Sequence, residues 1–128
     1  ENAYKAAQFL KKHKNVTWVR CCELEGDKDY DLGKKYLPNG SCGVVSFGVK
    51  GGRRAAEKFM KNLRLASIET HVADSKTCCL HPASSTHRQM NDEELKNAGV
   101  LPDLIRLSCG IENAEDIIED LKQALETI

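Results

Sequence analysis

No excess charge of either sign runs through this chain: 19 Lys and Arg balance 19 Asp and Glu, for a net charge of +0. Without an overall field there is nothing to draw it to nucleic acid or to anionic lipid, so a partner has to be recognised locally. No apolar run approaches the roughly 20 residues of a membrane span, and the opening residues read as an amphipathic helix, not a secretory leader. Neither a nucleic-acid nor a membrane partner is expected. The six cysteines lack the spacing of a zinc site. Cys21 and Cys22 are adjacent, as are Cys78 and Cys79, while Cys42 and Cys109 sit in apolar runs, so they read as core thiols of a reducing, cytoplasmic protein. Internal repeats and low-complexity segments are absent too. The chain opens mid-pattern at Glu1 and not at Met, so it is expected to be an excised piece of something longer.

What is present suffices for one domain of 128 residues with a real core. Ala3, Ala7 and Leu10 recur at helical spacing, predicting a helix from Asn2 to His13. Val16 to Cys22 reads as a strand, Asp29 to Tyr36 as a short helix ended by Pro38, Asn39 and Gly40, and Cys42 to Val49 as a strongly apolar strand. Gly51 and Gly52 turn into a helix striped by Ala56, Phe59, Met60 and Leu63. Thr77 to Leu80 reads as a short strand, and Leu65 to Ile68 is a candidate for another. Asn91 with Glu94 forms a capping box, and Gly99 closes that helix. A last strand runs from Leu104 to Cys109, followed by a helix capped by Asn113 with Ile117, Ile118, Leu121, Leu125 and Ile128 on one face. The pattern predicts a two-layer α+β sandwich: a small mixed or antiparallel sheet of about four strands, with helices on one face only. The opposite sheet face must then meet something else.

The last strand carries the most informative residue. Alternation sends Ile105, Leu107 and Cys109 to one face and Leu104, Arg106 and Ser108 to the other. A guanidinium on a rigid strand suits a fixed carboxylate or phosphate, which it grips bidentately; an edge strand with a snorkelling Arg fits the same pattern. His71, Asp74, His81 and His87 match no ligand-pair spacing, so no metal is expected. Ser84, Ser85 and Thr86 lack a glycine-flanked elbow and read as a loop that ties its own backbone together. Arg53 and Arg54 after Gly51 and Gly52 offer charge to an anion, but no further glycine or hydroxyl continues a phosphate cradle.

The segment His81, Pro82, Ala83, Ser84, Ser85, Thr86, His87, Arg88, Gln89, the run Gly99 to Asp103 and the stretch Leu104 to Glu112 together resemble the C-terminal domain of the pyridoxal-phosphate (PLP) enzymes of cysteine and methionine metabolism. The resemblance covers nearly the whole chain. Thr70, His71, Val72, Ala73 and Asp74 look most like the O-acetylhomoserine sulfhydrylases of that family, whose lyases and cystathionine synthases usually carry Ser, Leu, Gly in place of His71 to Ala73. The resemblance implies that residues 1–128 form the small C-terminal domain of a cytoplasmic transferase, and that Arg106 binds the α-carboxylate of the amino-acid substrate. It implies that Thr70, His71 and Val72 bring a loop to that substrate. It also implies that the cofactor lysine and phosphate cradle lie in a large domain this chain lacks, so that the fragment alone holds no catalytic residue and no cofactor. Expected partners are O-acetylhomoserine, sulfide or a thiol, the chain's own large domain, and further copies in a homo-oligomer. Two rivals stand beside this: the same domain of a cystathionine γ-synthase, γ-lyase or methionine γ-lyase, and a free-standing amino-acid-binding module.

Overall fold

A computed structural model describes residues 1–128. The elements are α1 (Asn2–Lys12), β1 (Val16–Arg20), α2 (Tyr30–Tyr36), β2 (Val44–Val49), α3 (Gly52–Lys61), β3 (Ser67–Ile68), β4 (Cys78–Leu80), a 3₁₀ turn (Pro82–Ser84), α4 (Asp92–Asn97), β5 (Leu104–Ser108) and α5 (Ala114–Leu125). One sheet holds five strands in the order β1, β2, β5, β4, β3. Every neighbouring pair is antiparallel except β3 with β4, which is parallel. The architecture is the expected α+β sandwich with one strand more than the four anticipated, because the stretch near Leu65 to Ile68 does pair, through Ser67 and Ile68. A second correction matters more for the site. β5 is the central strand, hydrogen-bonded on both sides, so the edge-strand reading of Arg106 is wrong.

Local chemistry sets the helices. Lys11 and Lys12 close the last turn of α1 and Glu115 and Asp116 open the first turn of α5, each complementing the helix dipole. The capping box of α4 is complete: Asn91 Oδ1 accepts from the Glu93 and Glu94 N–H groups while Glu94 accepts from the Asn91 N–H. Gly51 and Gly52 both take positive φ, 104° and 68°, which lets β2 turn directly into α3.

Three helices share one core. Ala3, Ala6, Ala7 and Leu10 from α1, Ala56, Phe59 and Met60 from α3, and Ile117, Leu121 and Leu125 from α5 pack with Val45, Phe47, Ile105, Leu107 and Cys79 from one sheet face. Phe47 and Phe59 meet edge to face with centroids 5.7 Å apart. On the opposite face, Trp18 lies across Gly48, where a Cβ would collide with the indole and with the Asp103 carboxylate. Trp18 Nε1 donates to Asp103 Oδ2 at 3.1 Å. That face is partly covered by the chain itself, since Cys78 and Leu80 are only 3% and 4% exposed. α2 buries no residue and leaves Leu32 and Tyr36 exposed.

Long-range polar ties hold the loops. Buried Asp120 accepts the N–H groups of Arg64, Leu65 and Ala66 at 2.8, 3.0 and 2.8 Å, fastening the exit of α3 to α5. Arg53 does not await an anion: Nη1 donates to the Ala83 carbonyl at 2.8 Å and Nη2 to Asp92 Oδ1 at 2.6 Å, joining α3 to the 3₁₀ turn and α4. His81 is buried, with Nε2 at 2.8 Å from the Pro102 carbonyl and Nδ1 at 2.7 Å from Ser84 Oγ. A carbonyl only accepts, so Nε2 carries the proton and Nδ1 accepts from the hydroxyl. Burial pushes the imidazole below its ordinary 6.5.

Two outcomes follow. Asp120→Ala strands three backbone donors and should cost about 3 kcal/mol or more in urea unfolding, with Asp120→Asn recovering part of it. Because His81 binds its proton less readily folded than unfolded, its contribution is intact above pH 6.5 and is lost as the pH falls from 6.5 toward the lower folded value. The urea midpoint should drop across that window, and His81→Asn should flatten the drop.

Candidate functional site

Being central, β5 fixes the direction of each of its side chains. Ile105 and Leu107 enter the core; Leu104, Arg106 and Ser108 face the other way. Arg106 stands opposite Ser46 on β2 and Leu80 on β4, and Arg20 stands opposite Ser46 from β1, so two arginines flank one serine in a single row across the sheet. They differ in what they hold. Arg20 is spent: Nε donates to Asp27 Oδ2 at 3.0 Å, and Nη2 to Asp27 Oδ1 at 3.3 Å and Asp29 Oδ2 at 2.7 Å. Arg106 meets no carboxylate. Its Nη2 donates to the Thr70 carbonyl at 2.7 Å, and its Nε is buried with no partner at all. A buried donor left unmade costs about 1–3 kcal/mol, more when charged. A planar anion laid along that edge would remove the cost and complete the bidentate pairing that guanidinium favours.

The Thr70 carbonyl brings the second half of the site. The loop from Glu69 to Lys76 begins where the Glu69 N–H bonds the Cys79 carbonyl at 3.2 Å and ends where the Ile111 N–H bonds the Ser75 carbonyl at 2.9 Å. Just past it, the Thr77 N–H and hydroxyl both donate to Glu112, each at 2.7 Å. Burial acts to raise the Glu112 carboxyl, but the two Thr77 bonds, together with its own backbone N–H and the Lys76 charge, hold the group below the usual carboxylate range. Asp74 turns the loop by accepting the Lys76 N–H, the bond that does most to hold its carboxyl low.

Of the residues expected here, Arg106 and Thr70 are in direct contact, and His71 and Val72 follow on the same loop with exposed side chains. His71 Nδ1 lies 3.8 Å from Asp74 Oδ2. His81 is committed to Ser84 and Pro102, and His87 Nδ1 lies 2.9 Å from Thr86 Oγ1, so the histidines serve separate contacts. Ser108 does more than its place in the sequence discloses. It accepts the Ala73 N–H at 3.1 Å, pinning the loop to the strand that carries Arg106. The periodicity that places Ser108 beside Arg106 was the available signal; its partner 35 residues away was not legible.

These residues can bind a carboxylate through charge, fixed geometry and partial desolvation. They do not fit a PLP group itself. Every lysine of the chain is exposed, and the arginine beside the Gly51 and Gly52 turn is already engaged.

Comparison with known proteins gives the setting. The chain is 44% identical over 128 residues to an O-acetyl-L-homoserine sulfhydrylase of Leptospira meyeri, covering 99% of the chain and 29% of that protein. It is 48% identical over 126 residues to a homocysteine synthase of Schizosaccharomyces pombe, covering 98% and 29%. An L-methionine gamma-lyase of Fusobacterium nucleatum subsp. polymorphum is 40% identical over 128 residues, covering 100% and 32%. A crystal structure of a putative O-acetylhomoserine (thiol)-lyase from Campylobacter jejuni, which carries N'-pyridoxyl-lysine-5'-monophosphate, superposes with a TM-score of 0.89 at 40% identity, over 98% of this chain and 30% of that one. The chain thus spans about 30% of the length of the relatives it matches. With the model of the Cys/Met metabolism PLP-dependent enzymes matching residues 1–126, the chain belongs to that family.

Proposed function

We propose that residues 1–128 are the substrate-gripping C-terminal domain of a PLP-dependent O-acetylhomoserine sulfhydrylase. In the intact enzyme, sulfide or a thiol replaces the acetate of O-acetylhomoserine, giving homocysteine or methionine. The observation that carries this reading is the buried, unpartnered Nε of Arg106 beside the Thr70 loop. That unsatisfied donor suits a planar anion, and an amino-acid α-carboxylate has that shape and charge.

The cofactor supplies an electron sink for chemistry at the substrate carbons, and the residues that hold it lie outside this chain. What this domain contributes is orientation. Arg106 fixes the carboxylate, the loop through Thr70, His71 and Val72 walls the space above it, and the side chain of the substrate is thereby aimed at the reacting centre. The domain alone is inert. Its own large domain is the first partner, and exposed Leu32, Tyr36 and Val72 offer it apolar surface; the intact enzyme assembles as a homo-oligomer. All six cysteines are free, in keeping with a cytoplasmic protein.

The methionine gamma-lyase among the relatives supports a second reading, in which the same grip serves elimination instead of replacement. A substrate panel on the full-length enzyme separates the two. Homocysteine formed from O-acetylhomoserine and sulfide supports the sulfhydrylase; release of methanethiol from methionine, or cystathionine formed from cysteine, with no sulfide use, overturns it. In the same assay Arg106→Ala should lower kcat/KM roughly 30-fold to several thousand-fold. A change under about 3-fold would remove the residue from the site.

A further inference from the structure

We infer that Ser108 is a positioning residue that sets the shape of the carboxylate site by anchoring the Thr70 to Ala73 loop; this rests on the carboxylate-binding role given above to Arg106. The loop is held to β5 at two points. At one end the Thr70 carbonyl accepts from Arg106 Nη2 at 2.7 Å, and at the other the Ala73 N–H donates to Ser108 Oγ at 3.1 Å. Arg106 and Ser108 are two residues apart on one face of the same central strand, so both anchors are parts of one rigid body.

The second anchor works against a local preference. Ala73 has φ of 57°, the only non-glycine residue of the chain at positive φ. An L-residue avoids that region unless something fixes it there. The Ser108 hydroxyl is placed to do so. It is 1% exposed and lies between Val44 and Cys78 in the sheet, leaving its oxygen little freedom to swing away. Between the two anchors, the N–H groups of His71 and Val72 bond no carbonyl of the chain. Their direction relative to Arg106 is set by Thr70 and Ala73. Freeing Ala73 would let the peptide rotate toward negative φ and turn the wall of the site away from the guanidinium. An apolar residue at 108 would preserve the strand and lose the site geometry.

The test uses the full-length enzyme with Ser108→Ala, Ser108→Cys, Ser108→Thr and Arg106→Lys, reading steady-state kinetics alongside hydrogen exchange at the Ala73 amide. Wild type should show a protected Ala73 amide. The Ala and Cys variants should lose that protection and raise KM for the amino-acid substrate about 3- to 10-fold at nearly constant kcat. The hydroxyl of threonine should restore both. The inference is overturned if the wild-type amide exchanges freely, or if KM and amide protection fail to move together across the Ser108 variants. A different result undermines the carboxylate reading beneath it: Arg106→Lys with unchanged KM. In that case the exchange data still decide whether Ser108 anchors the loop.

Discussion

A guanidinium planted on the middle strand of a sheet has few places to go. β5 is hydrogen-bonded by β2 on one side and β4 on the other, and its alternate residues Ile105 and Leu107 are locked in the core beneath α1, α3 and α5. The backbone under Arg106 therefore cannot shift to relocate the side chain, and although the guanidinium end is partly exposed its Nε is left buried without an acceptor. Evolution commonly leaves such a cost in place only where function uses it. The contrast with Arg20 in the same row is instructive, since that arginine is saturated by Asp27 and Asp29. One arginine builds the fold, and the other keeps a donor that nothing in the chain satisfies.

The remaining structure holds the surroundings of Arg106 in place. Thr77 and Glu112 fasten β4 to the segment after β5, and Asn2 adds bonds from α1 to the Gly110 and Glu112 carbonyls at 3.0 and 2.7 Å. Arg53 draws the 3₁₀ turn and α4 against α3. The result is a rigid base from which a short exposed loop, Thr70 to Asp74, projects beside Arg106. Such a division, with precision in the sheet and access in the loop, is what a substrate-orienting domain requires.

How much of this the sequence discloses depends on the range of the interaction. The capping box at Asn91 and Glu94, the turn at Gly51 and Gly52 and the facing of Arg106 opposite Ile105 and Leu107 are set by neighbours within a few residues, and all were legible. The rank of β5 within the sheet was not, because strand order is decided by packing between distant segments. Asp120 reads as one polar residue on an amphipathic helix, and nothing local reveals that it satisfies three N–H groups more than 50 residues earlier. Arg53 read as charge beside a turn that is no phosphate cradle, and its role as an internal tie was not legible for the same reason. The family resemblance supplied what periodicity could not, namely the proposal of a substrate for Arg106.

The direct measurement is a comparison of substrate with an analogue in which only the α-carboxylate is replaced by a neutral carboxamide, using the full-length enzyme and its Arg106→Ala variant. If the guanidinium grips that carboxylate, wild type will prefer the acid strongly, and the preference will collapse in the variant because the charge it read is gone. Should the variant discriminate as well as wild type, the carboxylate is bound elsewhere and the orphaned nitrogen of Arg106 needs another explanation.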